Sequence, residues 1–179
     1  MAKTPQKRSA IQHLLLTSAA GSSETWSLIN EGVTDLTEEF NPDDETLQYI
    51  AEDTKTSFVK AYAPSISLTA AIVADDPVCD YIRKKVNELS PGSDSDTEYI
   101  RFCLLDIPED VESTATKKYY IGYRRKANIA VSNIGGGAED YLSAEVTING
   151  KGGQTQGYVT VDTSTGTPTY TWSTTKPTA

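Results

Sequence analysis

Histidine, methionine and cysteine are nearly absent from this chain of 179 residues, which has one His, one Met and two Cys. A single histidine cannot build the Cys/His clusters that hold zinc, and His13 has no suitably spaced partner for acid–base work. No GxSxG elbow, HExxH pair or glycine-rich loop ending in Lys-Ser/Thr occurs. Two cysteines, Cys79 and Cys103, are no disulfide framework for a chain this long, so free reduced thiols are expected. No apolar run approaches the roughly 18 residues of a membrane-spanning helix. The start is ambiguous only at first sight. Lys3, Lys7 and Arg8 precede AIQHLLLTSAAG, but Gln12 and His13 cut the apolar run short of the roughly seven residues a secretory leader needs. Residues 1–24 are therefore expected to be a flexible or docking arm. No enzyme and no cofactor is expected from this inventory.

Charge of one sign is scarce where it would be needed to hold nucleic acid. The net charge is −9, and duplex phosphates would be repelled by such a chain. The acids are concentrated. Residues 33–54, VTDLTEEFNPDDETLQYIAEDT, hold Asp35, Glu38, Glu39, Asp43, Asp44, Glu45, Glu52 and Asp53 without one Lys or Arg.

Strand patterns dominate what is present. SFVKAYAPSISLTAAIV (57–73) spaces Phe58, Tyr62, Ile66, Leu68 and Ile72 evenly, and Pro64 in that register predicts an edge or a break. EYIRFCLLDI (98–107) is apolar on both faces and reads as a central strand. KKYYIGYRRKANIAVSNI (117–134) puts Tyr119, Ile121, Tyr123, Ala127, Ile129 and Val131 on one face, and Gly122, Arg124, Lys126, Asn128 and Ser132 on the other. Gly135–Gly136–Gly137 reads as a hairpin tip. In the last third, Asn149–Gly150 and Ser164–Thr165–Gly166 have hairpin-turn chemistry and predict a meander.

One helix is expected over about 76–89. Asp76 suits the N-cap and Pro77 the first helical position. Val78, Ile82, Val86 and Leu89 form a single apolar stripe that must pack on a sheet. Cys79 falls in the first turn, where the helix dipole can lower a thiol's pKa; a small buried core residue is the competing reading. DSDTE (94–98) lacks the glycine and distal Glu of a calcium loop and reads as a solvated turn.

Arg124, Arg125 and Lys126, with Lys117 and Lys118, make the one basic segment. It reads either as a solvated strand or as a surface for the acidic stretch, with nucleic-acid binding behind both. Opposite patches on one molecule suit head-to-tail association, which closes into rings or runs on as filaments. Arg124, Arg125 and Lys126 are thus candidates for a contact between subunits.

GVTDLTEEFNPDDETLQYIAEDT, then SFVKAYAPSISL, then DDPVCDYIRKKV, together resemble the major tail protein of long, non-contractile-tailed bacteriophages. GYRRKANIAVSNIGGG and GYVTVDTSTGTPTYTW are similar to the later strands of that family, so the resemblance runs from about Trp26 to Trp172. It implies a mainly β protein, a sandwich or barrel with one flanking helix, in a single domain over 25–173 followed by a flexible tail, 174–179. It further implies hexameric rings stacked into a tail tube in the virion, assembled in the host bacterial cytoplasm. DNA would pass through the lumen without specific binding, and the partners would be a tape-measure protein, a tail terminator and baseplate proteins, with no membrane.

On that resemblance, Asp35, Glu39, Gln48 and Glu52 are expected on the polar faces of strands 33–40 and 46–53, looking into the bore. The loop Asn41, Pro42, Asp43, Asp44 and Glu45 is expected to reach the next ring. Two other readings stand beside it. One is the tube of a phage-tail-like bacteriocin or a contractile tail. The other is a monomeric carbohydrate-binding β-sandwich that uses Trp26 or Trp172 as a stacking platform.

Overall fold

The computed structural model describes residues 6–20, 23–50, 53–89, 91–109 and 111–177. Ten strands and one helix follow in order among them: β1 (Ile11–Ala20), β2 (Ser23–Leu28), β3 (Val33–Glu39), β4 (Pro42–Leu47), β5 (Thr56–Tyr62), β6 (Ser65–Ala71), α1 (Pro77–Glu88), β7 (Asp96–Cys103), β8 (Lys117–Gly135), β9 (Ser143–Asp162) and β10 (Thr169–Ser173). Eight strands share one antiparallel sheet in the order β10-β2-β1-β7-β8-β9-β6-β3, while β4 and β5 form a hairpin of their own.

The sheet also meets itself. β10 pairs along the second half of β9 and touches β2 at the single rung Tyr170–Trp26. Six strands (β2, β1, β7, β8, β9 and β10) thus close into a ring, and β8 and β9 run on beyond it to pair with β6 and β3 as an open extension. The two regions have separate cores, because successive residues of a strand face opposite ways. Leu14, Trp26, Ile100, Phe102, Tyr120 and Val159 fill the ring. Leu15 and Tyr99, pointing the other way, pack with Ile66, Leu68, Ile129, Val146 and Ile148 of the extension and with Val78 and Ile82 of α1. Gly122 and Gly157 are paired across β8 and β9, and the Trp172 ring lies against both. A Cβ at Gly157 would fall 2.6 Å from that ring, so the pair has no room for a side chain.

α1 begins as its sequence requires. Asp76 accepts a hydrogen bond from the Cys79 amide at 2.8 Å, and Pro77 opens the first turn. Val78 and Ile82 are buried and Val86 is half-buried, but Leu89 is 82% exposed in a left-handed C-cap with φ 44°. Leu89 therefore leaves the expected stripe: the helix ends before it, and the cap turns its side chain out. Cys79 is buried, and burial raises its thiol pKa, which fits the core reading and not an activated thiol. Cys79 and Cys103 are both free.

Four further expectations need correction. Residues 11–20 are no arm; they form β1 in the interior of the sheet, because Leu14 and Leu15 bury opposite faces against the two cores. Asn149–Gly150 is not a turn, and β9 runs straight through it with the Gly150 amide donating to the Pro64 carbonyl at 2.8 Å. The strand expected over 46–53 does not continue through 48–50: β4 spans Pro42–Leu47, so Gln48 lies beyond it, and Glu52 falls outside the described residues. Tyr120, not Tyr119 or Tyr123, is the core tyrosine of β8, since that half of the strand buries its other face inside the ring. Pro64 does separate β5 from β6, and Gly136–Leu142 does turn β8 into β9. No helix among the described residues is long and apolar enough to cross a membrane.

Replacing Ile82 by Asp should cost at least about 3 kcal/mol, because it puts an unpaired charge into the second core. For a chain of this size that lowers the melting temperature by about 6–12 °C. An unchanged thermal transition would detach α1 from the core.

Candidate assembly surfaces

The open extension has one core face and one polar face. Rung by rung the polar face reads Asp35, Thr69, Glu145, Asn133; then Thr37, Ser67, Thr147, Ala130; then Glu39, Ser65, Asn149, Asn128. Small hydroxyl and amide side chains cover it, three carboxylates charge it, and no Lys or Arg stands in these rungs. A shallow trough of about 270 Å³ runs across it between Asp35, Thr37, Ser67, Glu145 and Thr147. Asp35 and Glu39 are exposed there, as alternation along β3 requires.

Both sides of this extension end in unpaired backbone. Among the described residues β3 pairs only with β6, and β8 pairs only with β9 from Ile129 to Gly135. Free strand edges of this length template pairing with another chain. Beside the β8 edge, the end of α1 leaves a groove of about 390 Å³ between Val86, Leu89, Val131 and Ile134.

β4 and β5 stand away from the sheet, with no fully buried residue in either strand. Their hairpin carries Asp43, Asp44 and Glu45 together with exposed Leu47, Tyr49, Ile50, Phe58, Val59 and Tyr62. Asn41 braces its base: the side-chain amide donates to the Ala63 carbonyl at 3.0 Å, and the backbone takes φ 42°. The expected loop Asn41–Glu45 is thus the first strand of an exposed apolar and acidic hairpin, and Gln48 belongs to its far end.

A partly buried polar cluster ties the hairpin's root to the ring. Glu38 is on the core face of β3, where its carboxylate meets His13 Nε2 at 3.1 Å and Arg101 Nε at 3.8 Å. His13 is 2% exposed, and its Nδ1 has no partner. Arg101 also lies over the Phe40 ring at 5.3 Å. β1 and β3 are not sheet neighbours, so these contacts hold the edge strand onto the closed ring. Composition pointed away from His13, and its one legible signal was polarity in the middle of an apolar run.

Arg124 is engaged within its own subunit. It forks onto Glu24 at 2.6 and 3.0 Å, contacts Glu98, and lies 5.1 Å over Trp26. Burial opposes its charge, but the hydrogen bonds to Glu24 and Glu98 outweigh that and hold its pKa above the ordinary value. Arg125 donates to the Gly152 carbonyl at 2.6 Å, whereas Lys126 is exposed. Trp26 is buried and Trp172 is half-buried against the glycine pair, so neither ring offers a flat exposed face for a sugar. Among the described residues no three His, Cys, Asp or Glu side chains are grouped to hold a metal ion.

No protein-family model and no curated protein matches the sequence. Solved structures do match the fold. The SPP1 tail tube is similar with a TM-score of 0.61 at 12% identity, over 85% of this chain and 78% of that one. The tail of an empty GTA particle, computed with C6 symmetry, matches with a TM-score of 0.56 at 14% identity, over 84% and 98%. The sheath/tube terminator of an extracellular contractile injection system, PVC, matches at 0.51 and 7% identity, over 87% and 99%. The chain has the mainly β fold of tail-tube proteins.

Glu38 to Ala should destabilise the protein by about 1–3 kcal/mol, because it leaves the buried His13 ring without its carboxylate partner. The pair change His13 to Leu with Glu38 to Leu should recover most of that loss. Denaturant unfolding of the three proteins checks it, and equal loss in both variants would mean that the unpaired His13 is not the source of the cost.

Proposed function

We propose that this protein is the structural subunit of a tail tube, a non-enzymatic virion component that associates laterally into rings and stacks into a hollow conduit. One observation carries the reading. A sheet that is closed in one half ends, in the other, in a four-stranded extension with two free edges. Joining the β3 edge of one copy to the β8 edge of the next pairs both, and repetition of that heterologous contact around an axis closes a ring. The fold shared with the SPP1 tail tube supports it. The C6 symmetry of the GTA tail supports six copies per ring.

In such a ring the Ser/Thr-covered face with Asp35, Glu39 and Glu145 lines the bore. Uncompensated carboxylates repel phosphates, so along these three rungs a passing polyanion meets neither a base to grip nor an aromatic ring to stack on. The β4–β5 hairpin, with Asn41, Pro42, Asp43, Asp44, Glu45 and Gln48, reaches the adjoining ring. Its exposed Tyr49, Ile50 and Tyr62 are covered there. A tape-measure protein inside the tube, and terminator and baseplate proteins at its ends, complete the assembly. It forms in the host bacterial cytoplasm and ends in the virion tail. The likeness to a contractile injection system leaves a second owner for the same tube, a contractile or bacteriocin-like tail, which a neighbouring sheath gene would reveal.

Electron microscopy of the concentrated protein, and of tails made in infected cells, should show hollow tubes. Monomers at every concentration and salt, with no tubes in cells, would refute the proposal. The triple change Asp35, Glu39 and Glu145 to Lys should leave tubes intact, since exposed charges add little to stability. Virions carrying it should adsorb normally and deliver DNA more slowly. Unaltered delivery would remove these three residues from the bore.

A further inference from the structure

The polar face of the extension does not stay acidic to its end. One rung past Asn128 and Asn149, on the same face, stand Lys126 of β8 and Lys151 of β9, directly paired across the two strands and both exposed. Like charges set opposite each other in a sheet cost stability, so folding does not explain this pair. Neighbouring acids relieve it only in part. Asp96 of β7 takes the Lys151 ammonium, but Glu98, the residue opposite Lys126 on β7, is held by Arg124. The backbone beside the pair is bare. Gly152 and Gly153 have no partner on β8, Gly152 takes φ 62°, and a Cβ at either would meet open space. Arg125 braces this bulge by donating to the Gly152 carbonyl at 2.6 Å.

We infer that Lys126, Lys151 and the Gly152–Gly153 bulge form a contact site for the phosphodiester backbone of a nucleic acid. The inference rests on the tube reading for its place, at one end of the bore wall, but its chemistry belongs to the single subunit. The acids farther along the face do not cancel it. Glu39 is two strands and one rung away, about 12 Å at ordinary strand spacing, and Glu145 is about 20 Å back along β9. Both distances exceed the screening length of about 8 Å at physiological salt. Ammonium groups meet phosphates as point charges and read no sequence. The two glycines add no side chain that would hold a phosphate away from the lysines. Repeated around a ring, the site becomes a band. A nucleic acid resting in the tube is thus held at one level of each ring and kept off the wall at the acidic rungs.

Backbone NMR of the soluble subunit, titrated with a short oligothymidylate, tests the site without tubes. Amide signals of residues 126 and 150–154 should shift, those of 33–39 and 143–147 should not, and affinity should fall as salt rises. Lys126→Gln should flatten the slope of log affinity against log salt by about 0.7, the value of one phosphate contact on a single strand. Lys126→Gln combined with Lys151→Gln should abolish the shifts. The double variant's melting temperature should stay within about 2 °C of the parent or rise, because an opposed pair of like charges is gone. No shifts in the parent, or unchanged shifts in the double variant, overturn the site and leave the tube reading standing. A melting temperature lowered by more than about 4 °C makes the lysines structural and overturns it as well. Polyglutamate of similar length serves as the second probe. If it moves the same amides at equal or higher affinity, the lysines belong to an acidic protein segment and the phosphate assignment falls. If the concentrated chain forms no tubes, the tube reading falls, and the titration alone decides the phosphate contact.

Discussion

Backbone hydrogen bonding at the edges of one sheet governs this molecule. Each strand has donors and acceptors along both sides, and every side must be met by another strand, by water or by another chain. The long pair of β8 and β9 answers that demand differently at its two ends. Near Gly122 and Gly157, β7 and β10 complete the flanks and the sheet closes. Beyond Asn128 and Asn149, β6 and β3 extend it on one side only, and the closure is lost. The same two strands thus belong to a self-sufficient ring and to an open sheet that ends in free edges.

The second core makes that open half stable enough to exist before it meets a partner. α1 lies on it through Val78 and Ile82, and Leu15 and Tyr99 reach it from the ring. Burial of such side chains contributes roughly 1.5–3 kcal/mol each, so the extension is held in shape by apolar packing on one face. Glu38, His13 and Arg101 add a polar fastening where β3 leaves the core and the chain enters the hairpin. The hairpin itself has no such support. Its apolar side chains stay in solvent in the single subunit, which is the expected condition of a surface that folds alone and is covered later.

Much of this was legible in the residues because it depends on local spacing. Asp76–Pro77 and the following apolar stripe locate α1, alternation in 117–134 locates β8, and the three successive glycines mark its turn. Alternation also separated Asp35 and Glu39 from Leu36. What spacing does not carry is which face of a strand finds a core. β8 buries Tyr120 in one half and Ile129 in the other, because two different layers cover it, and periodicity looks the same in both cases. Asn149–Gly150 has turn chemistry, yet pairing on both sides of β9 overrides it. Leu14 and Leu15 looked like a weak leader because a strand buried on both faces is a short apolar run without alternation. Arg124 looked free because Glu24 lies 100 positions away in the chain.

The central claim is that the outer edge of β3 and the β8 edge from Ile129 to Gly135 are open in the single subunit and paired in the assembly. Amide hydrogen exchange, compared between soluble protein and assembled tubes, reads that directly. Outward-pointing amides of residues 33–39 and 129–135 should exchange rapidly in the subunit and become protected in the tube, while those of the closed ring change little. Fast exchange persisting at both edges in intact tubes would contradict the account.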